Sequence, residues 1–138
     1  MTHLLIALSQ YNISETVGKE DNPEVLKYFD ALGFNGSALK DETSWYAGFV
    51  NWCLKEAGKP YLRKLNARSL LQVGTEIKEP QLGDIVVFWR ESKKSWKGHV
   101  GFYISEDKNN IFVLGGNQGN KVCIAPYSKQ RLLSYRRV

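Results

Sequence analysis

The 138-residue chain has few of the features that mark exported or membrane-spanning proteins. The N-terminus offers a five-residue apolar run, Leu4 to Leu8, which is too short for a secretory signal. No stretch approaches the roughly 18 consecutive apolar residues of a membrane span. We therefore expect a protein that is made in the cytoplasm without a signal peptide and that reaches any other compartment by another route.

Cysteine is also scarce. Cys53 and Cys123 are the two thiols, and they are too far apart to form a metal-binding pair such as C-x-x-C. We expect both to be free, as in a reducing compartment, and both to be small buried apolar side chains. We expect no metal and no other cofactor.

Internal repeats, low-complexity tracts and linkers are absent as well, which predicts one domain over residues 1–138. A hydrophobic fraction of 43% with 24% charged residues is ordinary for a folded protein and excludes the composition of disordered chains. Residues that favour helices come first in the chain, and residues that favour strands come second. That order predicts an α+β fold.

Positive charge exceeds negative charge by five at pH 7. Part of the excess lies in Lys93, Lys94 and Lys97, which surround Trp96. We interpret this cluster as a solvated loop, with a polyanion site as the alternative. A nucleic-acid-binding function would rest on charge and aromatic residues alone, because no RNA- or DNA-binding motif accompanies them, so we expect no nucleic-acid partner.

The first half of the chain predicts three helices. Leu4 to Tyr11 indicates a short one, and a second runs from Asn22-Pro23 to Gly33, with Pro23 at a favourable first position. The third is predicted from Trp45 to Ala57, where apolar residues recur at helical spacing, and Asp41 to Ser44 precede it as capping residues. We expect this third helix to be central and largely buried.

The second half is rich in β-branched and aromatic residues, which favour strands. The predicted strands are Ile85–Trp89, His99–Ser105, Asn110–Leu114, Lys121–Ile124 and Leu132–Arg136. We expect them to form an antiparallel sheet.

Four segments together resemble the NlpC-type and CHAP-type peptidases: 41–51, 83–88, 98–103 and 114–118. These are papain-like enzymes that cut amide bonds in bacterial peptidoglycan and that also occur in phage lysins and secreted antibacterial effectors. The resemblance extends from the Asn22-Pro23 helix to the final strand. It implies a papain-like cell-wall peptidase fold, with N-terminal helices packed on an antiparallel sheet, and peptidoglycan as the partner.

The resemblance also implies a site. In the family a cysteine nucleophile follows a tryptophan at the start of the central helix, and Tyr46 occupies that position here. A helix N-terminus favours thiolate over thiol, which explains the placement. His99 matches the histidine that takes the thiol proton, and Asn117 matches the residue that orients the imidazole.

The position of Asn117 has independent support from a count of residues. If the hairpin turns about Lys108, His99 and Asn117 lie nine residues on either side and face each other. A bulge would shift the pairing by one and bring Gly116 or Gln118 opposite His99 instead.

Tyr46 departs from the family pattern, because a phenol with an ordinary pKa of about 10 is a poor nucleophile at neutral pH. The thiols do not replace it, since Cys53 lies seven residues further on, roughly 10 Å along the helix, and Cys123 belongs to a later strand. We expect Thr43 and Ser44 to cap the helix rather than to act as nucleophiles.

Three explanations for Tyr46 stay open: an inactivating change in an enzyme, a natural pseudoenzyme, or a tyrosine-dependent variation. We favour loss of hydrolysis. The leading hypothesis is a peptidoglycan amide hydrolase, either a stem-peptide endopeptidase or an amidase, in an inactive form. The alternative is a non-catalytic module that binds the cell wall, or an inhibitor or immunity protein, through the same cleft. Trp45, Trp89 and Trp96 are candidate aromatic contacts, and we expect either protein to act in the periplasm or cell wall.

Overall fold

A computed structural model describes residues 2–13, 27–28, 31–33, 42–116, 118 and 121–138. Helix α1 spans Thr2–Ser9 and helix α2 spans Glu42–Glu56. The strands of the described part are β1 Thr75–Ile77, β2 Ile85–Trp89, β3 Gly98–Glu106, β4 Asn110–Gly115, β5 Cys123–Ser128 and β6 Leu132–Arg137. Short 3₁₀ helices lie at Ala67–Gln72 and Lys129–Arg131.

The described strands form one antiparallel sheet in the order β1-β6-β2-β3-β4-β5. Helix α2 packs on the sheet mainly through β3 and also contacts α1. The predicted α+β architecture, with N-terminal helices on an antiparallel sheet, is confirmed. Among the described helices, none has both the length and the apolar character that crossing a membrane requires.

The two faces of the sheet carry different clusters, because successive side chains of a strand point to opposite faces. Ile85 and Val87 of β2 pack with α2, whereas Val86 and Phe88 pack on the opposite face. On that face Tyr127 of β5 stacks on Phe88 with ring centroids 5.2 Å apart, although β3 and β4 lie between their strands. The sheet therefore curls toward the face opposite α2.

Helix α2 is buried on all sides over residues 45–54, as expected for the central helix. Its C-terminus is closed by Gly58 at φ +69°, where the Gly58 N–H donates to the Lys55 carbonyl and the Lys59 N–H donates to the Leu54 carbonyl. The N-terminus differs from the prediction, because helical structure begins at Glu42 rather than at Trp45. Asp41 and the side chains of residues 42–44, which were predicted to cap the helix, lie outside the described part.

The other predicted elements agree with the structure to different degrees. The strands predicted at Ile85–Trp89, Asn110–Leu114 and Leu132–Arg136 appear within one residue of their expected bounds. The strand predicted at Lys121–Ile124 is displaced, since β5 starts at Cys123. Most of the helix predicted from Asn22-Pro23 lies outside the described residues, although residues 27, 28 and 31 are helical.

Candidate functional site

Helix α2 and strand β3 bring Tyr46 and His99 into contact. The ring centroids are 4.2 Å apart and the ring planes are nearly perpendicular, at 84°. Tyr46 is 8% exposed and His99 is 2% exposed, so the contact is largely closed to solvent. Because α2 begins three residues before Trp45, Tyr46 is the fifth residue of the helix and lies beyond its first turn, whereas the resemblance implied a position at the helix start.

Aromatic rings of β2 and β5 also enclose His99. Phe88 pairs with His99 across β2 and β3, and their rings stack at 6.2 Å. Tyr127 of β5 stacks on the imidazole at 4.2 Å, with 20° between the planes. The imidazole thus lies nearly perpendicular to the ring of Tyr46 and nearly parallel to that of Tyr127, and it is buried.

Gln118 is the polar partner of this imidazole. Its Oε1 lies 2.8 Å from His99 Nε2, while its side-chain NH₂ donates to the carbonyls of Val113 at 3.2 Å and Cys123 at 2.6 Å. Those two carbonyls fix the amide orientation, so Oε1 must accept and His99 Nε2 must carry the proton. His99 is therefore the Nε2–H tautomer.

The family-based prediction had named Asn117 for this role, and Asn117 lies outside the described residues. The hairpin contains a bulge between Tyr103 and Ser105, and β4 ends at Gly115. Gln118, which the sequence suggested as the partner in the event of a bulge, reaches back from the turn that follows β4. The Gln118 N–H donates to the Lys121 carbonyl in that turn at 2.9 Å.

Burial controls the protonation of His99. It lowers the pKa of the imidazole from its ordinary value of 6.5 to about 3, against an opposing but smaller effect of the hydrogen bond to Gln118. Arg90 lowers the pKa further through its positive charge. The imidazole is thus neutral at physiological pH, and its Nδ1 has no hydrogen-bond partner in the described part of the chain.

A cavity of about 100 Å³ opens beside these rings. It is lined by Tyr46, Phe88, Trp89, Arg90, His99, Tyr127 and Arg131. The aromatic residues form its walls, and the two arginines supply its positive charge. No group of three or more potential metal-binding side chains is found among the residues that the structure describes.

The three tryptophans proposed as substrate contacts have different environments. Trp89 lines the cavity and is half-buried. Trp45 is 1% exposed and packs against Tyr28 and Phe49 in the core, so its predicted role as a ligand contact is wrong. Trp96 is 58% exposed and lies outside the cavity lining.

Both cysteines are free, as expected. Cys53 is buried in α2, and burial raises the pKa of its thiol well above the ordinary value. Cys123 is half-buried rather than fully buried, because β5 is at the edge of the sheet, and its Sγ–H donates to the Gln118 carbonyl. Neither thiol occupies the position of Tyr46.

This architecture, with helices packed on an antiparallel sheet, matches the fold of solved NlpC/P60 proteins. Two solved structures share it. One is an NLP/P60-family protein similar to a lipoprotein from Staphylococcus aureus, with 18% identity and a TM-score of 0.57, covering 98% of this chain. The chain spans 40% of that protein's length. No protein-family model and no curated relative matches the chain.

The second structure is RipD from Mycobacterium tuberculosis, described as a non-catalytic NlpC/p60 domain protein adapted to a peptidoglycan-binding function. It is 18% identical, has a TM-score of 0.55, and the match covers 99% of this chain and 95% of that one. At this identity the likeness establishes the fold. Both structures are NlpC/P60 proteins, so the resemblance to CHAP-type enzymes stays a prediction.

Proposed function

We propose that this chain is a peptidoglycan-binding domain that keeps the fold of a cysteine-type amide hydrolase and does not hydrolyse its ligand. The observation that carries the proposal is the contact between Tyr46 and His99. A phenol ring occupies the space beside the imidazole in which a nucleophile would have to meet a substrate carbonyl. The remaining cavity is open beside the rings and is suited to holding a ligand group.

The chemistry of the site also argues against hydrolysis. A general base works best when its pKa is near the working pH, whereas the pKa of His99 is lowered by burial to about 3. A tyrosine hydroxyl with an ordinary pKa near 10 is a weak nucleophile under the same conditions. Both partners are thus poorly matched to acyl transfer at neutral pH.

The solved structures support a binding role without establishing it. RipD is described as non-catalytic and peptidoglycan-binding, so this fold is compatible with binding in the absence of catalysis. The aromatic walls and the two arginines of the cavity offer apolar contact and positive charge to a peptide. Such a mixture is typical of ligand sites in proteins.

Co-sedimentation with insoluble peptidoglycan tests the proposal. The intact chain should pellet with purified walls and should release no soluble muropeptides, as judged by chromatography and mass spectrometry. Trp89→Ala should reduce pelleting several-fold because Trp89 lines the cavity, whereas Trp96→Ala, which removes a tryptophan outside it, should change little. Muropeptide release by the unmodified chain, or failure of that chain to pellet, would overturn the proposal.

A second candidate function is peptidoglycan hydrolysis by a form with cysteine at position 46. The observation that favours it is the oriented pair of His99 and Gln118, which leaves His99 Nδ1 as a free acceptor in the described part of the chain. A thiol at position 46 would be close to this acceptor and could transfer its proton to it. Replacing the phenol also opens the site and reduces the burial that lowers the His99 pKa.

We expect Tyr46→Cys to release muropeptides from peptidoglycan, while Tyr46→Ala, which opens the site without a thiol, should release none. Adding His99→Ala to Tyr46→Cys should abolish most of the gain, because His99 moves the proton. Adding Gln118→Ala to Tyr46→Cys should reduce muropeptide release less than His99→Ala does, since Gln118 only orients the ring. Asn117→Ala in the same background tests the residue that the family pattern names. A folded Tyr46→Cys protein that is inactive on several wall types would contradict the assignment of position 46.

A further inference from the structure

Two guanidinium groups line the cavity beside Tyr46, and each lies over an aromatic ring. Arg90, which directly follows β2, has its Cζ 5.7 Å from the centroid of the Tyr46 ring. Arg131, which precedes β6, has its Cζ 5.3 Å from the centroid of the Trp89 ring. The rings hold the two arginines at the cavity through contacts that leave the N–H donors available.

Neither guanidinium has an anionic partner among the residues that the structure describes. The ion pairs of the described part join Lys97 to Glu91, Lys129 to Glu106, and Arg137 to Asp84. Other arginines of the chain do use their donors: Arg68 binds three backbone carbonyls, and Arg136 binds two. Arg90 and Arg131 make no such side-chain hydrogen bond within the described residues.

The remaining lining of the cavity does not neutralise this charge. Among the described residues it consists of Tyr46, Phe88, Trp89, His99 and Tyr127, with no carboxylate. His99 is neutral, because burial holds its pKa at about 3, so it adds neither positive nor negative charge to the cavity. The positive charge of Arg90 extends into the cavity, since it adds to the lowering of the His99 pKa by burial. Within the described part of the chain, no negative group lines the cavity to balance the charge of the two arginines.

We infer that this cavity binds a carboxylate of a peptide, with Arg90 and Arg131 as its two cationic ligands and the rings of Tyr46 and Trp89 against the adjoining aliphatic carbons. A guanidinium presents paired N–H donors in a planar fork, which fits the two oxygens of a carboxylate. A cavity of about 100 Å³ holds a carboxylate with a few carbons and not a whole peptide. The inference rests on the proposed function for the source of the peptide, which is the cell wall.

Calorimetric titration of the intact chain with defined probes tests the inference. The probes are the peptide Ala-Glu-Lys-Ala, its C-terminal amide, the analogue Ala-Gln-Lys-Ala, and inorganic phosphate. Amidation of the carboxyl group that enters the cavity should weaken binding roughly tenfold, the effect expected when a charged hydrogen bond is lost. Phosphate should compete poorly. Equal binding of all three peptides, or tighter binding of phosphate, would overturn the assignment to a carboxylate.

Substitution of the two arginines tests the same inference by changing the protein instead of the ligand. Arg90→Gln and Arg131→Gln should each weaken binding of the acidic peptide roughly tenfold and abolish the preference for carboxylate over amide. Arg90→Lys should keep part of the affinity because the charge remains but the fork is lost. Arg63→Gln, which removes an exposed arginine outside the cavity, is the matched control and should bind within about twofold of the unmodified chain.

The outcome separates this inference from the proposed function. If the unmodified chain pellets with peptidoglycan while Arg90→Gln and Arg131→Gln pellet equally well, the carboxylate site is wrong and wall binding stands. If the unmodified chain binds the acidic peptide with the predicted dependence on both arginines but does not pellet with walls, the carboxylate site stands and wall binding is wrong.

Discussion

At the scale of the residue, His99 shows how one set of contacts sets both chemistry and stability. The ring is enclosed by Tyr46, Phe88 and Tyr127, and its Nε2–H is held by Gln118. These contacts keep the imidazole neutral and fix its tautomer. Burial disfavours the charged imidazolium in the folded protein, whereas the unfolded chain binds the proton readily. The contribution of His99 to the free energy of unfolding must therefore depend on pH.

We expect acidification to destabilise the fold through His99. Burial lowers its folded pKa to about 3, whereas the unfolded value is about 6.5, so between these values the unfolded chain binds more protons. The free energy of unfolding should therefore fall as pH falls, by about 1 kcal/mol from this group between pH 7 and pH 5.5. Burial also lowers the pKa of His3, which acts in the same direction.

Urea unfolding followed by tryptophan fluorescence at the two pH values measures this effect. His99→Phe keeps a ring among the aromatic residues and removes the titrating group, so its loss of stability on acidification should be about 1 kcal/mol smaller. Carboxylates with ordinary pKa values near 4 contribute little in this range. An identical pH dependence in both proteins would show that the pKa of His99 is the same in the folded and unfolded states and would contradict the predicted shift.

Part of the site was predictable at the residue scale and part was not. Tyr46 and His99 were identified through the resemblance to the peptidase family, and the structure brings the two side chains together. The burial of Trp45 was missed because a tryptophan beside a site residue points away from it on a helix. The pair of Arg90 and Arg131 was missed as well, since the two lie 41 positions apart and are brought to the same cavity by the pairing of β2 with β6.

At the scale of the element, the packing of α2 against the end of β4 depends on a glycine. A Cβ built on Gly116 would overlap the ring of Trp45 and lie 2.8 Å from the Cβ of Phe49. Both residues belong to the buried face of α2. The sequence LGGNQ therefore has a packing reason at its second glycine, independent of any catalytic role.

We expect Gly116→Ala to lower the free energy of unfolding by roughly 1–3 kcal/mol, because overpacking forces the helix and the strand apart. Gly58→Ala is the matched comparison. At Gly58 no atom of the described residues lies within 4 Å of the added Cβ, and its φ of +69° opposes the substitution, which costs about 1 kcal/mol. Urea unfolding of the two variants at pH 7 compares them. A smaller loss for Gly116→Ala than for Gly58→Ala would contradict the close approach of α2 and β4.

The elements that were predicted accurately are those whose type and bounds are determined by their own residues. Strand β2 consists of β-branched and aromatic residues throughout, and its predicted bounds are those observed. Strand β1 was not predicted, since three residues, Thr75–Ile77, carry little pattern and are held by pairing with β6. Strand β5 was displaced because its limits follow from its pairing with β4, from Asn110↔Ser128 to Gly115↔Cys123. The limits of these two strands are set by pairing with other strands, which the local sequence does not predict.

At the scale of the whole molecule, positive charge has two kinds of environment. Lys93 and Lys94 are exposed on the loop between β2 and β3. Arg68 fixes that loop by donating to the carbonyls of Ser92, Lys93 and Lys97. Arg90 and Arg131 instead line the cavity. A net charge of +5 attracts an anionic partner over a long range, whereas the cavity acts only at contact.

Salt should separate these two contributions. The Debye length falls from about 10 Å at 0.1 M salt to about 3 Å at 1 M, so attraction from exposed lysines is screened. Groups that lie against the ligand in a partly enclosed cavity are screened less. We therefore expect binding of the unmodified chain to peptidoglycan to weaken as NaCl is raised, and the preference for a peptide carboxylate over its amide to persist.

Two variants assign the contributions to their residues. Lys93→Gln with Lys94→Gln removes two charges outside the cavity, so wall binding should become less sensitive to NaCl while the preference for carboxylate over amide is retained. Arg90→Gln with Arg131→Gln removes the same charge from the cavity, so the preference should be lost and the sensitivity to NaCl should largely remain. Pelleting with peptidoglycan over a NaCl series measures the first property, and peptide titration at each salt concentration measures the second. The lysine variant could lose the preference for carboxylate, or both variants could change the salt sensitivity and the carboxylate preference equally. Either result would show that all the positive side chains act together through long-range attraction and that the cavity has no separate role.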